Sequence, residues 1–272
     1  MPGSRKPTRL FVDAPLEAAS LSLDADQAHY LGRVLRCRAG DAIVVFNARG
    51  RERNAVIDSL ARQRPRITLG PAIAPLPEPV TPILLLQALV KSDAMDLIVQ
   101  KATELGVDAI FAVRTEFSVV RLDAERSERR LDHWRRIAAG ACEQSGRHRP
   151  PGLRVFASLE EALGALPEGY ARIAFDLGAG EPFGAHAQRP DALARGGPDP
   201  GRPAPGEPRD GDAGVCLAVG PEGGFSPVEI ELLQAGGFVL RKLGPRTLRA
   251  ETAAIAALAC AQLLEGDLGS RP

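Results

Sequence analysis

The sequence predicts an α/β protein, a parallel sheet with helices on both faces, preceded by a small β-rich module. Three observations lead there. From residue 81 onward, apolar runs of strand length alternate with segments whose apolar residues recur at helical spacing. Strands alternating with helices build a parallel sheet covered on both faces, because each crossover lays its helix on the sheet. Residues 8–74 instead hold short β-type runs broken by turn residues, and "PAIAPLPEPVTP" separates the two halves as a linker.

In the first module the β-type runs are "RLFV", "AIVVF" and "RITLG", spaced by turns such as "AGD" and "NARG", with one helical turn at "DADQAHYLGRVLR". After the linker, "TPILLLQALV" is long enough for a buried strand. "SDAMDLIVQKATELGV" then puts Met95, Val99, Ala102 and Leu105 on one helical face. "DAIFAVR" is the next strand, and "LDAERSERRLDHWRRIAAGACEQSG" a helix facing inward with Leu131, Trp134, Ala138 and Ala141. Strands follow at "YARIAFD", "GVCLAVG" and "FVLRKLG", and helices at "SLEEALGAL", "SPVEIELLQAG" and "ETAAIAALACAQLLEG". Gln188 to Gly214 is rich in Pro, Gly and charge and nearly devoid of apolar residues, so it is expected to be a flexible insertion (188–214). The expected domains are therefore 1–75 and 76–272.

Charge and composition narrow the function. The chain has 272 residues with 34 basic and 34 acidic, so its net charge names no partner. Its distribution is uneven: residues 1–75 hold 12 Lys/Arg against 7 Asp/Glu, leaving 34 − 12 = 22 against 34 − 7 = 27 for the rest. A basic module before an acidic one points mildly to a polyanion. Cys37, Cys142, Cys216 and Cys260 form no CxxC, and His29, His133, His148 and His186 lack metal-ligand spacing, so no metal is expected. No apolar run approaches the roughly 20 residues of a membrane span, and the chain is expected to be soluble and cytoplasmic.

Two loops carry the chemistry, each following an expected strand and opening an expected helix, where ligands of open α/β sheets sit. In "VGPEGGFSPVEIELL", Ser226, Pro227 and Glu229 spell a capping box with Pro at the first helical position. Capping leaves Gly220, Gly223 and Gly224 unexplained, and bare backbone lets a ligand lie close. No GxxxxGK[ST] or GxGxxG is present, so triphosphate and dinucleotide readings lose their motifs. Glu222 would repel phosphate and suits a neutral or cationic ligand; the alternative is that it bonds its own loop. In "LGPRTLRAET", Arg246 and Arg249 precede a helix expected to start at Glu251 or Thr252, where guanidiniums oppose the helix dipole. Such arginines are candidates for gripping phosphate or a planar acceptor, the bland alternative being an Arg–Glu surface pair.

Taken with "HYLGRVLRCRAGD", "QALVKSDAMDLIVQKATELGV" and "RRLDHWRRIAAGACEQSGR", these loops make the sequence resemble the ribosomal small-subunit RNA methyltransferase E family of the SPOUT superfamily, over nearly the whole chain and in the family's order. The resemblance implies a PUA-like β-barrel domain joined to an α/β-knot methyltransferase domain with a C-terminal trefoil knot, working as a homodimer. It implies S-adenosylmethionine as methyl donor and N3 of one uridine in the decoding region of 16S rRNA as acceptor, met within the assembled small ribosomal subunit. Cofactor-binding positions carried over are Leu89, Gly220, Pro221, Glu222, Gly223, Gly224, Leu243, Gly244 and Leu248. Catalytic candidates are Arg249 and Arg246, which would stabilise the uracil anion, and Glu251, which with Glu222 is an alternative general base. Arg9, Arg33, Arg36 and Arg38, with Lys91 and Arg147 from the second domain, are candidates for gripping RNA phosphates. Phe117 stands where the family often carries arginine, the 188–214 segment is longer than expected, and Thr247 and Ala250 differ from commoner choices. Two rival readings stay open: an RNA-binding factor without catalysis, which the intact loops oppose, and an enzyme using another nucleotide, which the absent phosphate motifs oppose.

Overall fold

The computed structural model describes residues 7–74, 76, 78–79, 81–118, 124–184 and 214–268, so the expected insertion lies outside the described residues except for Gly214. The chain divides into two compact units: Met1–Leu76 with Ala139–Pro150, and Pro77–Ala138 with Pro151–Pro272. By its contacts the segment Ala139–Pro150, which holds Arg147, groups with the first unit.

The first unit is a five-stranded sheet of β1 (Arg9–Phe11), β2 (Ser20–Ser22), β3 (Ala42–Phe46), β4 (Glu52–Ser59) and β5 (Arg66–Ile73), in the order β1-β3-β4-β5-β2. β1 runs parallel to β3; the other pairings are antiparallel. Its core is Leu10, Leu31, Ile43, Val45, Ala55, Ile57, Ile67 and Leu69 with their neighbours. β2 and β4 were not expected as strands. β4, "ERNAVIDS", hides its periodicity behind charge: Ala55 and Ile57 point inward while Asn54, Val56 and Asp58 face out, and a register shift falls between Arg53 and Ala55. The expected helical turn is α1 (Ala25–His29), started by a reciprocal capping box in which Asp24 Oδ1 accepts from Gln27 N at 2.7 Å and Gln27 Oε1 accepts from Asp24 N at 3.1 Å. It runs into a π-helical turn, Tyr30–Val34, and Arg36 then takes a left-handed φ of 59°.

The second unit is a six-stranded sheet of β6 (Ile83–Ala88), β7 (Ala109–Val113), β8 (Gly152–Phe156), β9 (Ala171–Phe175), β10 (Val215–Val219) and β11 (Val239–Arg241), in the order β11-β9-β10-β6-β7-β8. Every pairing is parallel. The helices are α2 (Ser92–Glu104), α3 (Ala124–Ser145), α4 (Leu159–Gly164), α5 (Pro227–Ala235) and α6 (Ala250–Leu264). Period-two alternation sorts β6 between the faces: Ile83 and Leu85 pack in the cluster with residues of α2, α3 and α6, and Leu84 and Leu86 in the cluster with residues of α4 and α5. All four are at most 1% exposed, and burying each such side chain contributes about 2 kcal/mol. Both faces are covered, as parallel sheets require. β8, "GLRVF", is an edge strand the sequence reading missed, its run being too short and too interrupted by Arg154 to stand out.

Candidate functional site

β10 ends at Val219 and the next residue is Gly220, so the glycine loop leaves the sheet at the carboxyl end of a central strand. Gly220 is favoured because a Cβ there would crowd the loop, 3.1 Å from Gly224 C and 3.2 Å from Phe225 N: the chain doubles back on itself, with Gly224 N donating to Pro221 O at 2.9 Å. Gly224 has φ +73°, and a Cβ on Gly223 would come within 3.1 Å of Phe117 Cβ. Crowding at Gly220 and Gly223 and a left-handed backbone at Gly224 thus give each glycine a reason inside the protein, beside the ligand contact that the sequence suggested.

The helix start that follows is more than a cap. Ser226 Oγ accepts from Glu229 N, and the buried Glu229 carboxylate accepts from Ser226 N at 2.9 Å through Oε2 and from Glu116 N at 2.8 Å through Oε1. One side chain therefore ties the loop after β7 to the loop after β10. That reach was invisible in the sequence, where Glu229 accounts only for its own helix.

The second loop follows β11. Leu243 packs against the core, Gly244 takes φ +75°, and Arg246 and Arg249 are exposed. α6 starts at Ala250 with Arg249 as its N-cap, one to two residues earlier than expected, and the Arg249 side chain makes no cap hydrogen bond. Neither the Arg246 nor the Arg249 side chain is hydrogen-bonded or ion-paired among the described residues, so the surface-pair alternative finds no partner there. The same holds for Glu222, which is exposed and does not bond its own loop.

A cavity of about 230 Å³ lies where these loops meet. Its wall contains Gly220, Pro221, Glu222, Gly223, Gly224, Leu243, Arg246 and Leu248 from the expected set. Leu89, Gly244, Arg249 and Glu251 are not on that wall; the Leu89 side chain is 2% exposed and packs in the core. The wall also includes Phe175, Asp176 and Leu177 from the end of β9, together with Val219, Phe225 and Ala253, which sequence reasoning did not single out, and Thr247 and Ala250, noted there only as departures from commoner choices. The signal was present: "YARIAFD" is a strand of the same sheet, and its carboxyl end opens at the same edge. Asp176 and Glu222 bring two carboxylates to the wall against one guanidinium, Arg246, a balance that fits a cationic ligand and disfavours a polyphosphate. Cys216, inside β10, takes no part: burial pushes its thiol well up, so it stays protonated.

The basic candidates separate into two groups. Arg33, Arg36 and Arg38 are exposed around the π-helical turn, and Lys91 is exposed at the start of α2. Arg9 and Arg147 are corrections. Arg9 pairs with Glu52 at side-chain exposures of 8% and 6%, donates to Arg147 O at 3.1 Å and lies 4.6 Å from the Phe46 ring centroid. Arg147 is itself buried. The Arg9 guanidinium is held inside the first unit, Arg147 contributes its backbone carbonyl there, and at this burial neither side chain lies open on the surface as Arg33 does. Among the described residues no group of His, Cys, Asp and Glu could hold a metal, and no helix is long and apolar enough to cross a membrane.

This sheet, with its cavity at the carboxyl ends, has a known class. Residues 76–262 match the RNA methyltransferase domain family and residues 23–69 the RNA methyltransferase PUA domain. A methyltransferase structure from Legionella pneumophila, determined with bound SAM, superposes with a TM-score of 0.82 at 30% identity, covering 97% of this chain and all of that one. A ribosomal RNA small subunit methyltransferase E from Neisseria gonorrhoeae, bound to S-adenosyl methionine, superposes at 0.79 with 28% identity and coverage of 97% and 100%. The Mycobacterium bovis ribosomal RNA small subunit methyltransferase E is 30% identical over 93% of this chain and 90% of its own length, and the Bacillus subtilis protein of that name 27% identical over 92% and 94%. The chain belongs to the ribosomal RNA small subunit methyltransferase E family.

Proposed function

We propose that this protein transfers a methyl group from S-adenosylmethionine to N3 of a uridine in the decoding region of 16S rRNA. The observation that carries the reading is the convergence of the 220–224 and 243–253 segments on one cavity, in a chain whose relatives of this name align along almost its full length. The cavity wall suits the donor: glycine backbone, Leu243, Leu248 and Ala253 offer close and apolar contact, and the carboxylates of Asp176 and Glu222 tolerate a sulfonium. When bound, S-adenosylmethionine supplies an electrophilic methyl carbon.

The protein's own part is to place the acceptor nitrogen in line and hold it there. A bond forms from N3 to the methyl carbon while the carbon–sulfur bond breaks with its electron pair staying on sulfur, and the N3 proton passes to solvent. Arg246 on the cavity wall and Arg249 just beyond it are cations without partners among the described residues, available to stabilise negative charge on the uracil carbonyl oxygens. Glu251 and Glu222 are the alternative, as a base for the N3 proton. A stacked uridine must leave its stack first, and Arg33, Arg36, Arg38 and Lys91 are positioned on the surface to meet part of that cost through phosphate contacts.

The same reading assigns RNA recognition to a PUA-like barrel at 1–75 and chemistry to a knotted methyltransferase domain at 76–272, acting as a cytoplasmic homodimer on the small subunit. The test is to incubate the protein and labelled S-adenosylmethionine with small ribosomal subunits from a strain lacking the modification, then map the product by mass spectrometry. A single N3-methyluridine in the decoding region supports the reading; transfer elsewhere, or none despite bound cofactor, rejects it.

A further inference from the structure

β6 reads "ILLLQA", and Gln87 is the one polar residue in a strand whose six residues are all buried. Its side chain is 0% exposed, and a buried amide is tolerated only where its hydrogen bonds are made. Gln87 makes only part of them. Nε2 donates to Ala88 O at 2.9 Å and makes a long contact to Val219 O at 3.5 Å, while Oε1 has no partner among the described residues. An orphaned buried acceptor costs stability that a leucine at the same place would not.

The location explains what that cost supports. Gln87 stands opposite Val219 in the β6–β10 register, and Val219 is both the last residue of β10 and part of the cavity wall. By alternation with Ile83 and Leu85, Gln87 falls on the face covered by α6, whose Ala250 and Ala253 line the same cavity. The amide therefore spans the carboxyl ends of the two central strands beneath the point where Gly220 departs.

We propose that Gln87 is a positioning residue for the cavity, its side-chain amide setting the end of β10, and with it the Gly220–Gly224 loop, against the end of β6. This rests on the reading of that cavity as the S-adenosylmethionine site. The Val219 contact is long enough to tighten when a ligand presses the loop down, and Oε1 is free to take a water or a donor as that happens.

The test replaces Gln87 by leucine, which has similar bulk and no polar atoms, with Gln87→Met as the second variant should the first fail to fold. Three quantities are read: the melting temperature, the dissociation constant for S-adenosylmethionine by calorimetry, and amide hydrogen exchange of residues 220–224 without ligand. The expected result is an unchanged or higher melting temperature, faster exchange confined to the loop, and an affinity weaker by about three- to tenfold, the net worth of one neutral hydrogen bond. A residue serving packing alone would lower the melting temperature and leave affinity per folded molecule and loop exchange as in the wild type, and that result overturns the proposal. Should the wild-type protein itself fail to bind S-adenosylmethionine, the reading of the cavity falls, while loop exchange in the variant still decides whether Gln87 positions the loop.

Discussion

Arg9 and Arg33 carry the same charge in the same module and end in opposite surroundings. Arg33 is exposed, whereas Arg9 is buried against Glu52 and the Phe46 ring. Removing one member of a buried pair strands the other, so Arg9→Ala is expected to cost about 3–5 kcal/mol in urea denaturation, and the double change Arg9→Met with Glu52→Leu much less. Glu143 makes a pH prediction. It accepts from Phe11 N at 2.9 Å, and burial raises its pKa from the ordinary 4.5 against the opposing pull of that bond, of Tyr30 and of Arg9. Burial, with the Glu143 charge and hydrogen bond, pushes Tyr30 up to about 12, so its hydroxyl stays protonated. A raised folded-state pKa means the fold favours the protonated carboxyl. Glu143's contribution to stability is thus fully present below pH 4.5 and is lost as pH rises through the folded value. Subtracting the stability profile of Glu143→Gln from that of the wild type should leave a difference that falls with rising pH above 4.5 and then levels; a flat difference would refute it. In the chemistry, Arg249→Ala is expected to slow single-turnover methyl transfer by about 10²–10³-fold at saturating cofactor, as loss of an oxyanion-stabilising donor does. A normal rate in that variant, with loss in Glu251→Gln, would move the role to the carboxylate.

At the scale of elements, α5 shows how one helix start organises a site. Ser226→Ala removes a cap and should cost about 1 kcal/mol. Glu229→Ala should cost more, about 2–4 kcal/mol, because it orphans two backbone donors, Ser226 N and Glu116 N, that lie on different loops. Measured by denaturation, equal costs for the two variants would mean that the link to Glu116 contributes nothing. The capping box was legible as Ser226-Pro227-x-Glu229 because it spans a few residues; the second bond was not, since Glu116 lies 113 positions away. The same limit hid β4 and β8, whose charged residues mask short apolar sets until neighbouring strands show which side is inward.

At the scale of the molecule, the basic surface of the first unit and the cavity of the second separate in the assays. Replacing Arg33 and Arg36 together should weaken rRNA binding and flatten the dependence of log K on log salt by roughly 1.4 to 1.8, near 0.7–0.9 per lost phosphate contact, with S-adenosylmethionine affinity unchanged. An unaltered salt slope would show these side chains to be ordinary solvated charges. What the sequence determined by itself is local: apolar runs of strand length, helices with one apolar face, the capping box, and two glycine-bearing loops each following a strand. These follow from spacings of two to four residues, which the backbone imposes whatever the rest of the chain does. Only the tertiary structure decided the strand order that brings β9 between β10 and β11, the burial of Arg9, the crowding at Gly220 and Gly223, and the orphaned amide oxygen of Gln87. Each depends on which distant segments meet, and that is settled by burying apolar faces and pairing polar groups across the whole molecule, a balance no short window of sequence contains.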